Sequence, residues 1–453
     1  LVKSADRGRT WVSIAGDLPE RGTVYVVLED PGDASLLFAG TEFGLFFSKD
    51  GGAHWVALKG GFPTIAVKDL AIQTRENDLA VGTFGRGIYI LDDYTPLRAA
   101  SAASLDKEAQ LFPVRNAWMY VPTAPLGFKG KGFLGDALYA APNPPFGAVF
   151  TYYLNDELKT RKKLRQEKEK KIGEQGGTAP YPTPEQLRAE AAEEDPVLLL
   201  TVTDSDGNVV RRLTAKGDAG VHRIAWDLRF PASNPTDTPK PDPSIPWQDA
   251  PTGPMAVPGK YAVSLAKRVD GKVTELSGPV SFEAVAIGTS SLPPADRAQL
   301  SAFQQKTARL QRAALGAVSA AKDAQKRLTQ IKLALLDTPA ADPALGQEAR
   351  AIEAKLRDSL VALEGDTVMA ARNEPTRPSI TDRIGYIVTA QWASTSAPTQ
   401  TSRDSYALAA EDFRGELEKL RGLLDKDLKN LEAKMEAAGA PWTPGRLPAW
   451  KPE

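Results

Sequence analysis

Two copies of one short motif, S-x-D-x-G-x-x-W, lie 44 residues apart near the start of the sequence. The residues that define them are Ser4, Asp6, Gly8 and Trp11 in the first copy and Ser48, Asp50, Gly52 and Trp55 in the second. A repeat of about 40–50 residues that contains several short strands is typical of a β-propeller, in which each repeat forms one four-stranded blade. This repeat constrains the fold of the first 121 residues more than any other feature of the chain.

Short apolar and aromatic runs surround the motifs and end in Gly or Asp turns. Those around the two copies are 24–28, 36–40, 44–48 and 54–58. A further group follows at 67–73, 78–84 and 87–92, and the motif does not recur after it. Because each run has the length of a short strand, the sequence predicts propeller blades over residues 1–121. Residues 105–121 either complete the last blade or lead into the next domain.

The motif residues have a structural role that follows from their chemistry. The carboxylates of Asp6 and Asp50 can accept hydrogen bonds from backbone N–H groups of their own tight turns. The glycine of each motif allows a positive φ, and the tryptophan begins the outer strand and packs between neighbouring sheets. We therefore expect the motif to hold turns rather than to catalyse a reaction.

Successive loops of an antiparallel blade alternate between the two ends of the sheet. The loops opposite the motif turns hold Glu42 and Phe43 in one blade, and Phe84 and Arg86 in the next. One interpretation is a polar ligand site, since Arg86 can bind a carboxylate in bidentate geometry. The other is an ion pair between Glu42 and Arg86, which contributes little to stability if it is exposed.

The second region, residues 122–289, predicts a small β-sandwich with a charged insertion at 156–195. Apolar and polar residues alternate along its strands, and Asp206-Gly207 is typical of a hairpin turn. The insertion mixes acidic and basic residues, which predicts a solvated helix or a disordered strap. His222 is expected to be an ordinary strand residue, and Trp247 to anchor the Pro-rich loop at 231–258.

The third region, residues 290–438, predicts an antiparallel helical bundle, followed by a Pro/Trp tail at 439–453. Apolar residues follow a strict three–four spacing from Leu300 to Leu335, with alanines at the centre. Further helices are expected from Leu345 to Leu363, from Ile380 to Trp392 and from Tyr406 to Met435. The bundle has no Glu-x-x-His pair, which excludes a di-iron site of that type.

Composition excludes several classes of function. The chain has no cysteine and two histidines, so thiolate sites, cysteine nucleophiles and histidine-based zinc centres are not expected. Its formal net charge is −1, which gives no general attraction to nucleic acid or to an anionic membrane. No apolar run is long enough to span a membrane. We expect no metal and no cofactor.

The repeated S-x-D-x-G-x-x-W motif resembles the Asp-box, or bacterial neuraminidase repeat, of sialidase-like and sortilin-like propellers. The segments AGVHRIAWDLR and VPGKYAVSL are similar to the immunoglobulin-like domain of flagellar hook-capping proteins. With the ending GAPWTPGRLPAW, the order of parts resembles a bacterial family of exported sortilin-like or glycosyl-hydrolase-like proteins. The resemblance implies a multidomain fold of propeller blades, an immunoglobulin-like sandwich and helices, in the periplasm or outside the cell. It also implies that ligands bind at the loops opposite the Asp-boxes.

The resemblance implies activity only weakly. Sialidases need an arginine cluster with a Tyr/Glu pair, and xyloglucanases need two carboxylates across a cleft. Neither pattern is present, and Glu42, Asp69, Asp92 and Asp93 have no motif around them, so the catalytic residues are unknown. We expect a non-catalytic binding or scaffold protein for a peptide or glycan. The alternative is a sialidase- or xyloglucanase-like glycoside hydrolase whose active residues lie mostly upstream.

Two and a half blades cannot close a ring, because propellers have about 4–8 blades. The chain opens at Leu1 in the middle of a repeat, so we expect that preceding sequence or a partner chain supplies the other blades. A third possibility from the same resemblance is peptide capture in an apolar tunnel lined by Phe43 and Phe84.

Overall fold

A computed structural model describes residues 1–122, 141–245, 248–287, 294–392, 394–450 and 452. Trp247 and parts of the predicted 122–289 region lie outside these residues. The chain divides into two compact units. Unit 1 comprises 1–118, 141–227 and 259–285, and unit 2 comprises 119–140, 228–258 and 286–453. The fold contains several β-sheets followed by a helical region.

Unit 1 begins with three small antiparallel sheets that contain both motifs. The first is the hairpin of β1 (Val2–Lys3) and β2 (Val12–Ser13). The second has the order β3-β4-β5-β6, with strands β3 (Val24–Asp30), β4 (Asp33–Thr41), β5 (Gly44–Ser48) and β6 (Val56–Ala57). The third is β7-β8-β9, with strands β7 (Val67–Gln73), β8 (Asp78–Thr83) and β9 (Ile88–Leu91). Each sheet is a simple up-and-down meander, because every strand pairs with its neighbour in sequence.

The second and third sheets share one apolar core. Leu36, Phe38, Val67 and Leu79 are fully buried in it. Gly40 is required where the two sheets approach each other, because a Cβ atom there would lie 2.6 Å from a methyl carbon of Val67. Helices α1 (Thr95–Ala99) and α2 (Ala102–Leu105) follow these sheets.

The rest of unit 1 contains two sheets that pack through aromatic side chains. One has the order β10-β12-β15, with strands β10 (Ala109–Leu111), β12 (Ala148–Leu154) and β15 (Gly220–Trp226). The other has the order β11-β17-β16-β13-β14, with strands β11 (Ala117–Met119), β13 (Val197–Asp204), β14 (Val209–Ala215), β16 (Gly259–Val269) and β17 (Lys272–Ala286). Trp226 of the first sheet contacts Tyr261 and Phe282 of the second, with ring centroids 5.2 and 6.2 Å apart. Residues 109–119 thus contribute strands to these two sheets and do not complete the third sheet.

The predicted hairpin and charged insertion have defined structures. Asp204 accepts hydrogen bonds from the backbone N–H groups of Asp206 and Asn208 and so closes the turn between β13 and β14. The insertion contains two exposed helices, α3 (Arg161–Glu174) and α4 (Pro184–Ala192). Arg165 joins them by donating two hydrogen bonds, 2.6 and 2.8 Å long, to the Glu190 carboxylate.

Unit 2 is largely a helical bundle. Its helices are α5 (Pro294–Leu336), α6 (Pro343–Glu364), α7 (Thr367–Ala370), α8 (Ile380–Trp392), α9 (Gln400–Gly422) and α10 (Leu428–Ala437). The alanines predicted at the centre of the seam are buried, and Ala314 and Ala321 are fully inaccessible. The predicted last helix is continuous but contains one π-helical turn, Leu423–Asp427, between α9 and α10.

Candidate ligand-binding face

The meander topology places two loops of unit 1 at the sheet ends opposite the β5–β6 motif turn. These are the β4–β5 loop with Glu42 and Phe43, and the β8–β9 loop with Phe84 and Arg86. The two ends lie side by side, because Lys68 near the start of β7 reaches Tyr25 near the start of β3. The structure therefore brings the predicted loops to neighbouring positions. We call this surface, formed by Tyr25, Glu42, Phe43, Lys68, Phe84 and Arg86, the loop face.

The two loops share one internal geometry. The Thr41 hydroxyl donates a 3.0 Å hydrogen bond to the Gly44 carbonyl, and the Thr83 hydroxyl donates a 2.7 Å hydrogen bond to the Gly87 carbonyl. The residue after each threonine also donates its backbone N–H to a backbone carbonyl. In both sheets the acceptor is the residue that immediately precedes the first strand. These bonds run from Glu42 to Thr23 (2.9 Å) and from Phe84 to Ala66 (2.9 Å). Hydrogen bonds thus order both loops, whose tips hold Phe43 and Phe84.

An aromatic and cationic cluster lies on the loop face. The Lys68 Nζ is 3.3 Å from the centroid of the Tyr25 ring and 5.7 Å from that of the Phe84 ring. Phe84 is 71% exposed and Tyr25 is 40% exposed. Sequence reasoning missed Lys68 and Tyr25. Each is the second residue of its strand and resembles any exposed strand residue until the packing of the two sheets is known.

The remaining predicted loop residues occupy separate parts of the face. The Phe43 ring is half-exposed and packs against Gly22, whose φ is +108°. The Glu42 carboxylate accepts a 3.3 Å hydrogen bond from the Thr23 backbone N–H. Arg86 is exposed, and across the described residues it forms no ion pair with Glu42. The alternative of an ion pair between these two loops is therefore not seen.

The first motif forms a turn in which Asp6 organises the backbone. Its carboxylate accepts hydrogen bonds from the backbone N–H groups of Arg9 (2.9 Å) and Thr10 (2.8 Å). The bonds from Thr10 are the main cause that lowers the pKa of Asp6 to about 2. The Ser4 hydroxyl accepts a 2.7 Å bond from the Gly8 N–H. Trp11 is 61% exposed, so its ring is not packed between sheets as the sequence predicts.

The second motif repeats this geometry in a more buried setting. The Asp50 carboxylate accepts hydrogen bonds from the His54 backbone and ring, and the bond from the backbone is the main cause that lowers the pKa of Asp50. The Ser48 hydroxyl accepts a 2.9 Å bond from the Gly52 N–H. Trp55 is only 6% exposed and donates a 3.0 Å hydrogen bond to the Ile14 carbonyl. The Ser48 and Asp50 bonds are internal to the turn, and the Trp55 bond joins the turn to the residue that follows β2.

The other carboxylates considered for catalysis occupy different environments. Asp93 is buried and accepts hydrogen bonds from the backbone N–H and the hydroxyl of Thr95. Burial raises the pKa of Asp92, and the nearby Asp78 carboxylate raises it further. The Asp69 carboxylate accepts a hydrogen bond from the backbone N–H of Leu70. None of these contacts pairs two carboxylates across a cleft.

Across the described part of the chain, no group of three or more His, Asp or Glu residues could hold a metal ion. His222 lies on β15, where its ring nitrogen is 2.8 Å from the Asp218 carbonyl oxygen. No helix among the described ranges combines the length and the apolar character that a bilayer crossing requires.

Comparison with known proteins places the chain in no family. No protein-family model matches it, and no curated protein matches it significantly. Among solved structures it is similar to PorZ, a bacterial surface component of the type-IX secretion system of Porphyromonas gingivalis. The identity is 14% over 58% of this chain and 23% of that chain, with a TM-score of 0.16.

It is also similar to two structures of the extracellular domain of BT4673 from B. thetaiotaomicron, described as a hybrid two-component and as a one-component system. Both matches have 10% identity over 64% of this chain and 28% of that chain, with TM-scores of 0.15 and 0.16. This chain thus spans about a quarter of the length of these surface or extracellular proteins. Likenesses with such low TM-scores do not define its fold.

Proposed function

We propose that this chain is an exported, non-catalytic binding protein whose loop face recognises a peptide or a glycan that carries a carboxylate. The observation that carries the proposal is the exposed cluster of Phe84, Lys68 and Tyr25. Phe84 on its ordered turn and Tyr25 on β3 both expose their rings to solvent, and such rings offer flat apolar surface to a ligand. Lys68 and the neighbouring loop residue Arg86 add positive charge to the same end of the sheets.

The architecture in this proposal is that of a sortilin-like Asp-box propeller. The sheets β3–β6 and β7–β9 would be two of its blades, and the two aromatic-packed sheets would be an immunoglobulin-like sandwich. Support comes from the meander order of both sheets and from the Asp6 and Asp50 turns. Further blades would come from other sequence of the same protein or from a partner chain, and export rests on the resemblance of the motif.

Binding is favoured over hydrolysis because the carboxylates considered for catalysis are engaged in other contacts. On the loop face, Glu42 accepts a hydrogen bond from the Thr23 backbone, and at the far end of the third sheet Asp93 holds the start of helix α1 through Thr95. A glycoside hydrolase needs two carboxylates that flank the scissile bond. The glycoside-hydrolase alternative therefore depends on a carboxylate from outside this chain, opposite Glu42.

The test is titration calorimetry with two probes, each of which has a version without the carboxylate. One pair is trigalacturonate and its methyl ester, and the other is a tripeptide with a free or an amidated carboxyl terminus. We expect one of the two carboxylates to bind more tightly than its neutral partner. Arg86→Gln should weaken that binding roughly tenfold, because a hydrogen bond to a charged group contributes about 1.5–3 kcal/mol and this one is exposed. Phe84→Ala should weaken the binding of both members of the pair.

Matched controls lie outside the loop face. Arg75→Gln removes an exposed cation from the β7–β8 turn, and Trp11→Ala removes an exposed aromatic ring from the first motif. Neither should change affinity. Equal losses in Arg75→Gln and Arg86→Gln would contradict a site on the loop face. Release of reducing sugar from trigalacturonate by the wild-type protein would instead favour the hydrolase.

A further inference from the structure

A cavity of about 200 Å³ lies within unit 2, at the start of helix α5. Its apolar wall includes Met119, Met255, Val257, Ile287 and Leu300. The volume exceeds the roughly 150 Å³ of an engineered apolar cavity that binds benzene. The space is therefore sufficient for a small hydrocarbon group.

The polar wall of the cavity comes from one face of helix α5 and from Ser394 and Thr395, which follow helix α8. Arg297, Ser301 and Gln304 are spaced at i, i+4 and i+7, so their side chains lie along the same stripe of the helix. Arg297 is the one charged residue among the described residues that line the cavity, and no carboxylate is among them. It also forms no ion pair with any other described residue. The described lining thus combines apolar walls with a single positive charge.

The walls are fixed by hydrogen bonds within the unit. Ala256 donates its backbone N–H to the Leu228 carbonyl (2.7 Å), and Ile287 donates its own to the Met119 carbonyl (3.0 Å). The Gln304 amide donates a 2.6 Å hydrogen bond to the Gln391 carbonyl on helix α8. A cavity held in this way loses little conformational entropy when it takes up a ligand.

We propose that this cavity binds a small amphipathic monocarboxylate, such as a medium-chain alkanoate. The hydrocarbon chain contacts the methionine and aliphatic wall, and the carboxylate accepts hydrogen bonds from Arg297. A neutral molecule of the same shape gains only the apolar contacts, and a cation is repelled by Arg297. The cavity is a second binding site, independent of the loop face in unit 1.

The test is calorimetric titration of the chain with octanoate, octan-1-ol and octylamine. Octanoate should bind roughly tenfold more tightly than octan-1-ol, and octylamine should bind least. Arg297→Gln should reduce octanoate affinity to that of octan-1-ol and leave octan-1-ol unchanged. The matched control is Arg312→Gln, an exposed cation on the same helix, which should retain the full preference.

A blocking variant locates the site. Ser301→Phe places a ring in the cavity, and at an unchanged melting temperature it should abolish the binding of both octanoate and octan-1-ol. The proposal is overturned if the wild-type protein binds neither of these probes, or if octylamine binds as tightly as octanoate. It is also overturned if Arg297→Gln keeps the preference for octanoate. If Ser301→Phe does not fold, the preference for octanoate over octan-1-ol in Arg297→Gln and in Arg312→Gln tests the proposal by itself.

Discussion

Replacing Asp30 by alanine should lower the free energy of unfolding by about 3 kcal/mol, because it breaks a buried charge network. The Asp30 side chain has no exposed surface, and Arg98 donates hydrogen bonds of 2.9 and 2.8 Å to its two carboxylate oxygens. The buried Tyr94 hydroxyl donates a third bond of 2.6 Å, and Arg98 also donates to Asn77. The network thereby joins the end of β3, the β7–β8 turn and helix α1.

The expected loss in the free energy of unfolding depends on which charged group each substitution leaves without its partner. Removal of one partner of a buried ion pair costs about 3–5 kcal/mol. Asp30→Ala should lie at the low end of this range, because the Arg98 side chain is 27% exposed and water can solvate it. Arg98→Met should cost more at pH 7, because it leaves the inaccessible Asp30 carboxylate without its cation.

The contribution of Asp30 to stability should depend on pH with opposite signs in the wild-type protein and in Arg98→Met. Burial by itself raises the pKa of Asp30, but hydrogen bonds from Arg98 and Tyr94 outweigh it and hold the pKa below its ordinary value. In the wild-type protein this stabilisation is complete above the unfolded-state pKa and is lost as pH falls through the folded-state pKa. In Arg98→Met burial dominates and the pKa of Asp30 rises, so the loss of stability relative to the wild-type protein should be smaller at pH 4 than at pH 7.

The assay is urea unfolding followed by circular dichroism at pH 7 and pH 4. Glu29→Ala, at the exposed neighbouring position, is the control and should change stability by less than about 0.5 kcal/mol. A loss below about 1 kcal/mol in Asp30→Ala would refute the reasoning. So would an Arg98→Met variant whose loss of stability relative to the wild-type protein is at least as large at pH 4 as at pH 7.

Two further predictions concern the motif turns. In urea unfolding, Trp55→Ala should lower the free energy of unfolding by about 3–5 kcal/mol, and Trp11→Ala by less than about 1 kcal/mol. The difference is expected because Trp55 is buried and Trp11 is exposed. Equal losses in the two variants would contradict this explanation. The hydrogen bond and charge of Asp50 raise the pKa of His54, so NMR titration should give a value above the ordinary 6.5, and Asp50→Asn should lower it. The stabilisation from this pair is present at low pH and is lost as pH rises through the folded-state pKa of His54. An unchanged pKa of His54 in Asp50→Asn would show that Asp50 does not cause the shift.

The features that the sequence predicts well are those encoded by local periodicity. The three–four spacing around Ala314 and Ala321 predicts a buried helical seam, because position along a helix alone decides which side chains share a face. The Asp204–Asn208 turn is predicted for the same reason, since its hydrogen bonds join residues no more than four apart. Trp11 departs from expectation because its burial depends on a neighbouring sheet rather than on the turn.

The candidate site is only partly predictable because it depends on contacts between distant segments. The loops at Glu42 and Phe84 can be identified from flanking glycines and strand order. The approach of Lys68 to Tyr25, 43 residues away in sequence, is set by the packing of two sheets on a shared core. The pairing of Asp30 with Arg98 and the cavity beside Arg297 likewise follow from tertiary packing and have no local pattern.

Hydrogen–deuterium exchange with and without bound ligand tests the central claim most directly. The ligand is whichever carboxylate probe, trigalacturonate or the free tripeptide, binds the wild-type chain. The account predicts slower exchange in segments 41–44, 66–70 and 83–88 and unchanged exchange in the motif turn at 49–55. Protection of the motif turn, or unchanged exchange in all three loop-face segments at saturating ligand, would contradict it.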